Sequence, residues 1–368
     1  MNKEQICKTT GYEDKKETID TRNEGKILMG GERFFTKEIL SDKNSCTKLL
    51  ENINHSFAEN FELVDLLGSG SESYVYKTKI KKNQRMIACK MIYNNHKKGM
   101  DNTELSIGMK LKNNNITNIL GASTIIKDEL YCIAMECDKY GNLRNFQRNI
   151  LKRNTLSEQL LCHISYYILN GIKYIHKCKV AHLDLKPQNI TVDEFLRFKI
   201  IDFSISLDYS KEKTKKIKLP PRGTNLYIAP EVLSNETIDI KDLNKVDLYS
   251  FGVILYNLAF GEYPYNLSYE DSKDYDKIYE KTQTDWKVEN NNNCYSDCFI
   301  DFLQQLLEKD INKRININQA LNHYWVKGYD LLLEEKEKIF NCSNYLLYLV
   351  TDHFKSFNDY ISKYKQVN

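Results

Sequence analysis

His182-Leu183-Asp184-Leu185-Lys186-Pro187-Gln188-Asn189 decides how this chain is read. It sets an acid (Asp184), a cation (Lys186) and an amide (Asn189) at fixed offsets on what reads as a loop. A carboxylate, an ammonium and a carboxamide so spaced can orient an attacking hydroxyl, neutralise a transferring phosphoryl group and hold a divalent cation.

Further short stretches lie on either side. Gly68-Ser69-Gly70-Ser71-Glu72-Ser73-Tyr74-Val75 places two glycines in a turn. A backbone without Cβ lets N–H groups approach phosphate oxygens, although two such glycines alone read equally as an ordinary hairpin. Ile87-Ala88-Cys89-Lys90 follows on a predicted strand, where alternation puts Ala88 and Lys90 on one face. Thr103-Glu104-Leu105-Ser106-Ile107-Gly108-Met109 supplies a carboxylate from a predicted helix. Downstream come Asp202-Phe203-Ser204, Gly223-Thr224, Ala229-Pro230-Glu231, Asp247-Leu248-Tyr249-Ser250-Phe251-Gly252 and Lys309-Asp310-Ile311-Asn312-Lys313-Arg314.

In this order, over about 61–325, these stretches resemble eukaryotic protein kinases of the serine/threonine type. The resemblance implies an α+β, two-lobed fold, with a small β-rich N-lobe (61–136) and a larger helical C-lobe (139–325). It implies transfer of the ATP γ-phosphoryl group to Ser/Thr hydroxyls of a protein substrate, with Mg²⁺ or Mn²⁺. By position, Asp184 would accept or orient the hydroxyl proton, Lys186 would neutralise the γ-phosphoryl, and Asn189 and Asp202 would hold metal. Gly68, Ser69, Gly70 and Ser73 would cover the nucleotide, and Val75 and Ala88 would pack on adenine. Lys90 would contact the α- and β-phosphates, paired with Glu104. Met135 would be the gatekeeper, with Glu136 and Cys137 in the hinge. Thr224 would bond the Asp184–Lys186 pair, Asp247 would brace the catalytic-loop backbone, and Arg314 would pair with Glu231. Lys186, two residues after Asp184, marks the serine/threonine-directed pattern.

Several positions depart from the family pattern. Ser73 replaces a third glycine, which implies weaker or slower nucleotide handling. Ser204 replaces the glycine of D-F-G, which implies a narrower range of activation-segment conformations. Gly108 stands where the family places an apolar side chain. It implies a poorly held helix, a regulatory partner or tail that steadies it, and higher basal activity in Gly108→Leu, unless Met109 fills the gap. Leu183 stands where the family has Arg, so phosphate on Ser210 or Thr214 has no standard receptor and basal activity should not require it. The run Lys211-Glu212-Lys213-Thr214-Lys215-Lys216-Ile217-Lys218 reads as a solvated basic loop, an acidic-partner contact or a nuclear localisation signal. Asn142 and Gln188 stand where arginine-directed kinases carry Glu, so no strong upstream-arginine requirement is expected. A weak or inactive pseudokinase acting as a binding module is the alternative reading.

The bulk numbers agree with an intracellular protein, cytoplasmic or nuclear. Of 368 residues, 41% are apolar, enough for a core, and the net charge of +3 is evenly mixed, which argues against nucleic-acid binding. No apolar run reaches the ~20 residues of a membrane span, and the N-terminus lacks the apolar region of a signal peptide. The ten cysteines form no CxxC pair and read as reduced thiols. Residues 1–60 read as a polar, partly disordered extension, with a short helix near 47–58. Strand patterns fall at 61–67, 74–80, 86–93, 119–126 and 130–137. Helical patterns fall at 100–112, 156–176, 247–259 and 299–308, and the tail 326–368 reads as one or two helices.

Overall fold

The computed structural model describes residues 60–70, 73–93, 103–126, 130–265, 273–283, 295–329, 345, 346 and 349. The N-terminal extension, apart from Asn60, lies outside the described residues. The described residues form two compact units. One runs up to Lys112 and resumes over Thr117–Cys137; the other holds Asn113–Ile116 and the residues from Asp138 onward.

The first unit is built on one antiparallel sheet. Strands β1 (Phe61–Ser69), β2 (Ser73–Ile80), β3 (Met86–Tyr93), β4 (Ile119–Ile126) and β5 (Leu130–Glu136) take the order β1-β2-β3-β5-β4. β3 is central and covered on both faces: Ile87, Cys89 and Met91 are at most 1% exposed, and Ala88 and Lys90 are 6% exposed. Helix α1 (Thr103–Lys110) buries Glu104, Ile107 and Gly108, an i, i+3, i+4 stripe.

That stripe corrects the expectation of a gap at Gly108. A Cβ there would lie 2.2 Å from Ile119 Cδ1 and 2.9 Å from Ile119 Cγ1. Ile119 occupies the space, not Met109, and α1 approaches β4 closely because residue 108 has no side chain. Gly108→Leu is therefore expected to overpack the contact, at a cost of ~1–3 kcal/mol. Thermal denaturation should show a lowered midpoint, and any activity should fall, not rise.

The second unit is mainly helical. α2 (Leu143–Asn145) is capped by the Asn142 side chain, which accepts from the Asn145 N–H at 2.9 Å, and runs into a π-helical turn, Phe146–Leu151. α3 (Glu158–Lys177) and α5 (Leu243–Phe260) form its core. Leu248, Phe251, Val253, Ile254, Leu255 and Leu258 are fully buried, so the long apolar run of α5 is core sequence. Each such side chain contributes ~1.5–3 kcal/mol of burial. Among the described residues no helix is long and apolar enough to cross a membrane. Three two-stranded ladders sit on this core. They pair β6 (Val180–Ala181) with β9 (Leu207–Asp208), β7 (Ile190–Val192) with β8 (Phe198–Ile200), and β10 (Lys216–Lys218) with β11 (Thr237–Asp239).

The remaining helices are α4 (Pro230–Leu233), α6 (Tyr275–Gln283), α7 (Asp297–Leu306), α8 (Ile317–Asn322) and α9 (Tyr324–Lys327). α8 starts with a capping box: Asn316 accepts from the Gln319 N–H, and Gln319 returns a bond to the Asn316 N–H. Of the expected tail helices, residues 330–344, 347, 348 and those beyond 349 lie outside the description. Tyr345 and Leu349 are buried; Tyr345 Oη is 3.3 Å from His163 Nδ1, and the Ser157 hydroxyl donates to the Leu349 carbonyl.

Candidate active site

Strand register alone brings one half of the expected set together. Val75 lies opposite Lys90, Ala88 opposite Met135, and Ile87 opposite Glu136. Gly68 and Ser69 end β1, the Gly70 N–H donates to the Ser73 carbonyl at 2.7 Å, and a Cβ on Gly68 would meet nothing within 4 Å. Ser71 and Glu72, at the tip of this turn, lie outside the described residues. Lys90 Nζ donates to both carboxylate oxygens of Glu104 at 2.8 Å, with both residues buried. A buried ion pair persists only when closely matched, so α1 and β3 are held in one register by it. The Glu136 N–H donates to the Asn118 carbonyl at 3.1 Å, and Asn118 Nδ2 to Glu136 Oε1 at 3.1 Å, which fixes the end of β5 before Cys137.

The other half is assembled around Asp184. Asp184 Oδ1 accepts from the Thr224 N–H at 2.9 Å and the Thr224 hydroxyl at 2.8 Å. Oδ2 accepts from Lys186 Nζ at 2.7 Å and Asn189 Nδ2 at 3.0 Å. Lys186 also donates to Thr224 Oγ1 at 2.8 Å, and Asn189 to the Asp184 carbonyl at 2.9 Å. Gly223 must be glycine here: its φ is 107°, and a Cβ would lie 2.8 Å from the Leu183 carbonyl.

The loop is braced from below by Asp247, on α5. Its carboxylate accepts from the His182 N–H and Leu183 N–H at 2.9 Å each and contacts His176 Nε2 at 2.6 Å. Burial works to raise the Asp247 pKa, but the His176 contact, His182 and the backbone N–H hold it below the usual carboxylate range. It therefore stays ionised at neutral pH. His176 was not singled out by the sequence; it lies 71 residues from Asp247, and only the fold pairs them.

The β7–β8 ladder positions the two candidate metal ligands. Ile190 pairs with Ile200, and the Ile201 N–H donates to the Asn189 carbonyl at 3.0 Å, so Asn189 and Asp202 emerge at the same end. His182 Nε2 is 2.9 Å from the Ile201 carbonyl, and the His182 and Phe203 rings are 5.1 Å apart. The strained backbone lies at Asp202, with φ 67°, and not at Ser204. Ser204 needs none of the freedom of glycine in this conformation. Asp138, two residues beyond β5, bonds Lys199 Nζ at 2.8 Å and the Thr191 hydroxyl at 2.5 Å.

Leu183 does what no reading of the central run suggested. It has φ 66° and is 8% exposed, and with Leu219, Pro220, Ile228, Val232 and Val246 it lines a void of only about 10 Å³. Leu219, Pro220 and Ile228, from the candidate activation segment between Asp202 and Glu231, thus line the same small void as the loop residue Leu183. At the far end of that segment Arg314 and Glu231 form a buried bidentate pair at 2.7 and 2.9 Å.

With this geometry in hand, a sequence-family model described as "Protein kinase domain" matches residues 61–326. The chain is 31% identical over 272 residues to the serine/threonine-protein kinase dst2 of Dictyostelium discoideum, covering 73% of this chain and 23% of that protein. It is 32% identical to the serine/threonine-protein kinase ULK3 of Xenopus laevis, covering 73% and 55%. It is also 32% identical to calcium-dependent protein kinase 4 of Plasmodium berghei, covering 79% and 55%. The match thus spans about a quarter to just over half the length of these relatives. A five-stranded unit, a helical unit that carries the Asp184 cluster, and a family match over most of the chain place it in the protein kinase domain family, with the two-lobed α+β fold of that family.

Proposed function

We propose that this chain is an active serine/threonine protein kinase that transfers the ATP γ-phosphoryl group to Ser/Thr hydroxyls of a protein substrate. The observation that carries the reading is the Asp184 carboxylate, held by four donors from Lys186, Asn189 and Thr224. A carboxylate so fixed is pre-oriented to take a hydroxyl proton, and Lys186 beside it can balance phosphoryl charge. Lys90, closed on Glu104, would hold the nucleotide phosphates, and Val75, Ala88, Met135, Glu136 and Cys137 would frame the adenine. That pair is closed in the chain alone, so the geometry gives no support to a partner needed to set the Glu104 helix.

The residues fit a hard divalent cation. Asn189 spends its amide N–H groups on Asp184, and its Oδ1 takes no donor among the described residues. With Asp202 it offers oxygen ligands, and no cluster of three His, Cys, Asp or Glu residues forms a protein cage among the described residues. One or two protein oxygens completed by substrate phosphates suit Mg²⁺ or Mn²⁺. Such a cation would supply charge neutralisation for the phosphates. The cysteines described are free thiols, which supports an intracellular setting, cytoplasmic or nuclear.

The test is incorporation of labelled phosphate from ATP with Mg²⁺ or Mn²⁺, by the full-length protein on itself and on a generic protein substrate, followed by phosphoamino-acid analysis. Label on serine or threonine supports the reading. No label above background, under both metals, supports the inactive binding module.

The activation segment carries its own fastenings: the β10–β11 ladder, the Glu231–Arg314 pair and the Thr224 bonds. Ser210→Ala/Thr214→Ala is therefore expected to leave turnover within about threefold of wild type. A loss on the order of 100-fold, ~2.7 kcal/mol of barrier, would overturn this.

A further inference from the structure

Asp247 braces the Asp184 loop through the His182 and Leu183 N–H groups, and a further side chain stands behind that brace. Asp247 Oδ2 meets His176 Nε2 at 2.6 Å, and on the far side of the ring His176 Nδ1 meets Tyr209 Oη at 3.2 Å. The three come from separate elements: Asp247 from α5, His176 from the last turn of α3, and Tyr209 from the residue after β9. All three are buried.

The protons fix the direction of each bond. Asp247 is ionised and can only accept, so His176 Nε2 carries a hydrogen. On a neutral ring Nδ1 is then a bare acceptor. The Tyr209 phenol faces it as a donor: burial, with Asp247 and Asp208, pushes its pKa up to about 12, so it keeps its hydrogen at neutral pH. That hydrogen has a second acceptor at 3.2 Å, the His176 carbonyl, which already accepts from the Lys179 N–H at 3.0 Å. On a charged ring Nδ1 would donate to Oη, and the phenol would turn its hydrogen to the carbonyl. In either state Tyr209 Oη is the partner of Nδ1, which has no other among the described residues.

The Tyr209 backbone is set independently of this contact. Its N–H donates to the Lys179 carbonyl at 2.9 Å, and the two residues before it pair with Ala181 and Val180 in the β6–β9 ladder.

We propose that Tyr209 is a positioning residue for the Asp184 loop, acting through His176 and Asp247. Its phenol holds the His176 ring with Nε2–H on Asp247, and the carboxylate so held keeps the His182 and Leu183 N–H groups in line. Phenylalanine at 209 would fill the same space and leave Nδ1 without a partner in a buried place. The bearing of Tyr209 on turnover rests on the kinase reading; its bearing on the loop does not.

The test compares full-length Tyr209→Phe with wild type by NMR. With isotope-labelled histidine, the His176 ring is assigned by its loss in His176→Phe, or in His176→Gln if the first variant does not fold. In Tyr209→Phe the Nδ1 resonance is expected to move towards that of an unbonded ring nitrogen, while Nε2 keeps its hydrogen. Amide exchange at His182 and Leu183 should quicken at least about threefold, and exchange along the β7–β8 ladder should change less than about 1.5-fold. In phosphoryl transfer, kcat should fall about three- to tenfold, the effect of one hydrogen bond, with KM for ATP changed less than about twofold. On the background of the folded His176 variant, Tyr209→Phe should cost less than about 1.5-fold in kcat, because the route through the imidazole is already gone. An unmoved Nδ1 resonance overturns the proposal, as does exchange at His182 and Leu183 that stays unchanged or rises equally along the ladder. Equal losses of kcat in both backgrounds show that Tyr209 acts by another route, and overturn it too. Wild-type protein without turnover would count against the kinase reading, and the two NMR measurements would then decide the role of Tyr209.

Discussion

Asp184→Asn is expected to lower phosphoryl transfer by ~10²–10⁴-fold, the range a positioned general base contributes. All four groups on the Asp184 carboxylate are donors. An amide can accept on one side only, so its NH₂ would face either Thr224 or the Lys186–Asn189 side, donor against donor. The variant thus loses the base and also loosens the loop, at ~1–3 kcal/mol for the unmatched group. The folding loss is read by thermal denaturation and the chemical loss by turnover of the folded fraction. kcat and kcat/KM should fall together, because the interaction removed is one made in the transition state. KM for ATP should change less than kcat, since the groups proposed to frame the adenine and hold the phosphates lie on or next to β1–β5. Residual turnover within tenfold of wild type would remove Asp184 from the chemistry.

The features legible in the sequence are those whose geometry is local. β3 shows this: alternation alone places Ala88 and Lys90 on one side, and the register of β3 with β2 and β5 follows. The run 182–189 carries its own spacing, so the Asp184–Lys186–Asn189 cluster needs little besides Thr224. What could not be read depends on contacts between distant segments. Gly108 reads as a missing side chain until β4 brings Ile119 against it. Leu183 reads as the loss of a phosphate receptor, and only the fold shows it buried, lining a small void with Leu219 and Val246. Lys216-Ile217-Lys218 looks like part of a solvated basic loop, yet it is a strand. Its partner Thr237–Asp239 is short and lies beyond α4, so pairing, not composition, makes it one. The positive φ at Asp202, two residues before Ser204, is likewise a property of the folded backbone that composition does not show.

Arg314→Leu is expected to be the most damaging change away from the chemistry. The Arg314 guanidinium spends every donor: two on Glu231 at 2.7 and 2.9 Å, and the others on the carbonyls of Glu308, Lys245 and Lys309. It also stacks on the Tyr249 ring at 4.8 Å. Arg314 is 1% exposed and Glu231 is 2% exposed, so removing the cation leaves a carboxylate with no water to replace it. Breaking a buried pair in this way costs ~3–5 kcal/mol, against ~5–15 kcal/mol for a whole domain. For a domain of this size the melting midpoint should fall by about 6–20 °C. Arg314→Lys should recover little, because one ammonium cannot reproduce the planar fork. The double variant Arg314→Leu/Glu231→Leu should be more stable than Arg314→Leu alone, since it removes the stranded charge. A midpoint shift under about 2 °C in Arg314→Leu, or a double variant less stable than the single, would show that the pair does not hold the end of the activation segment.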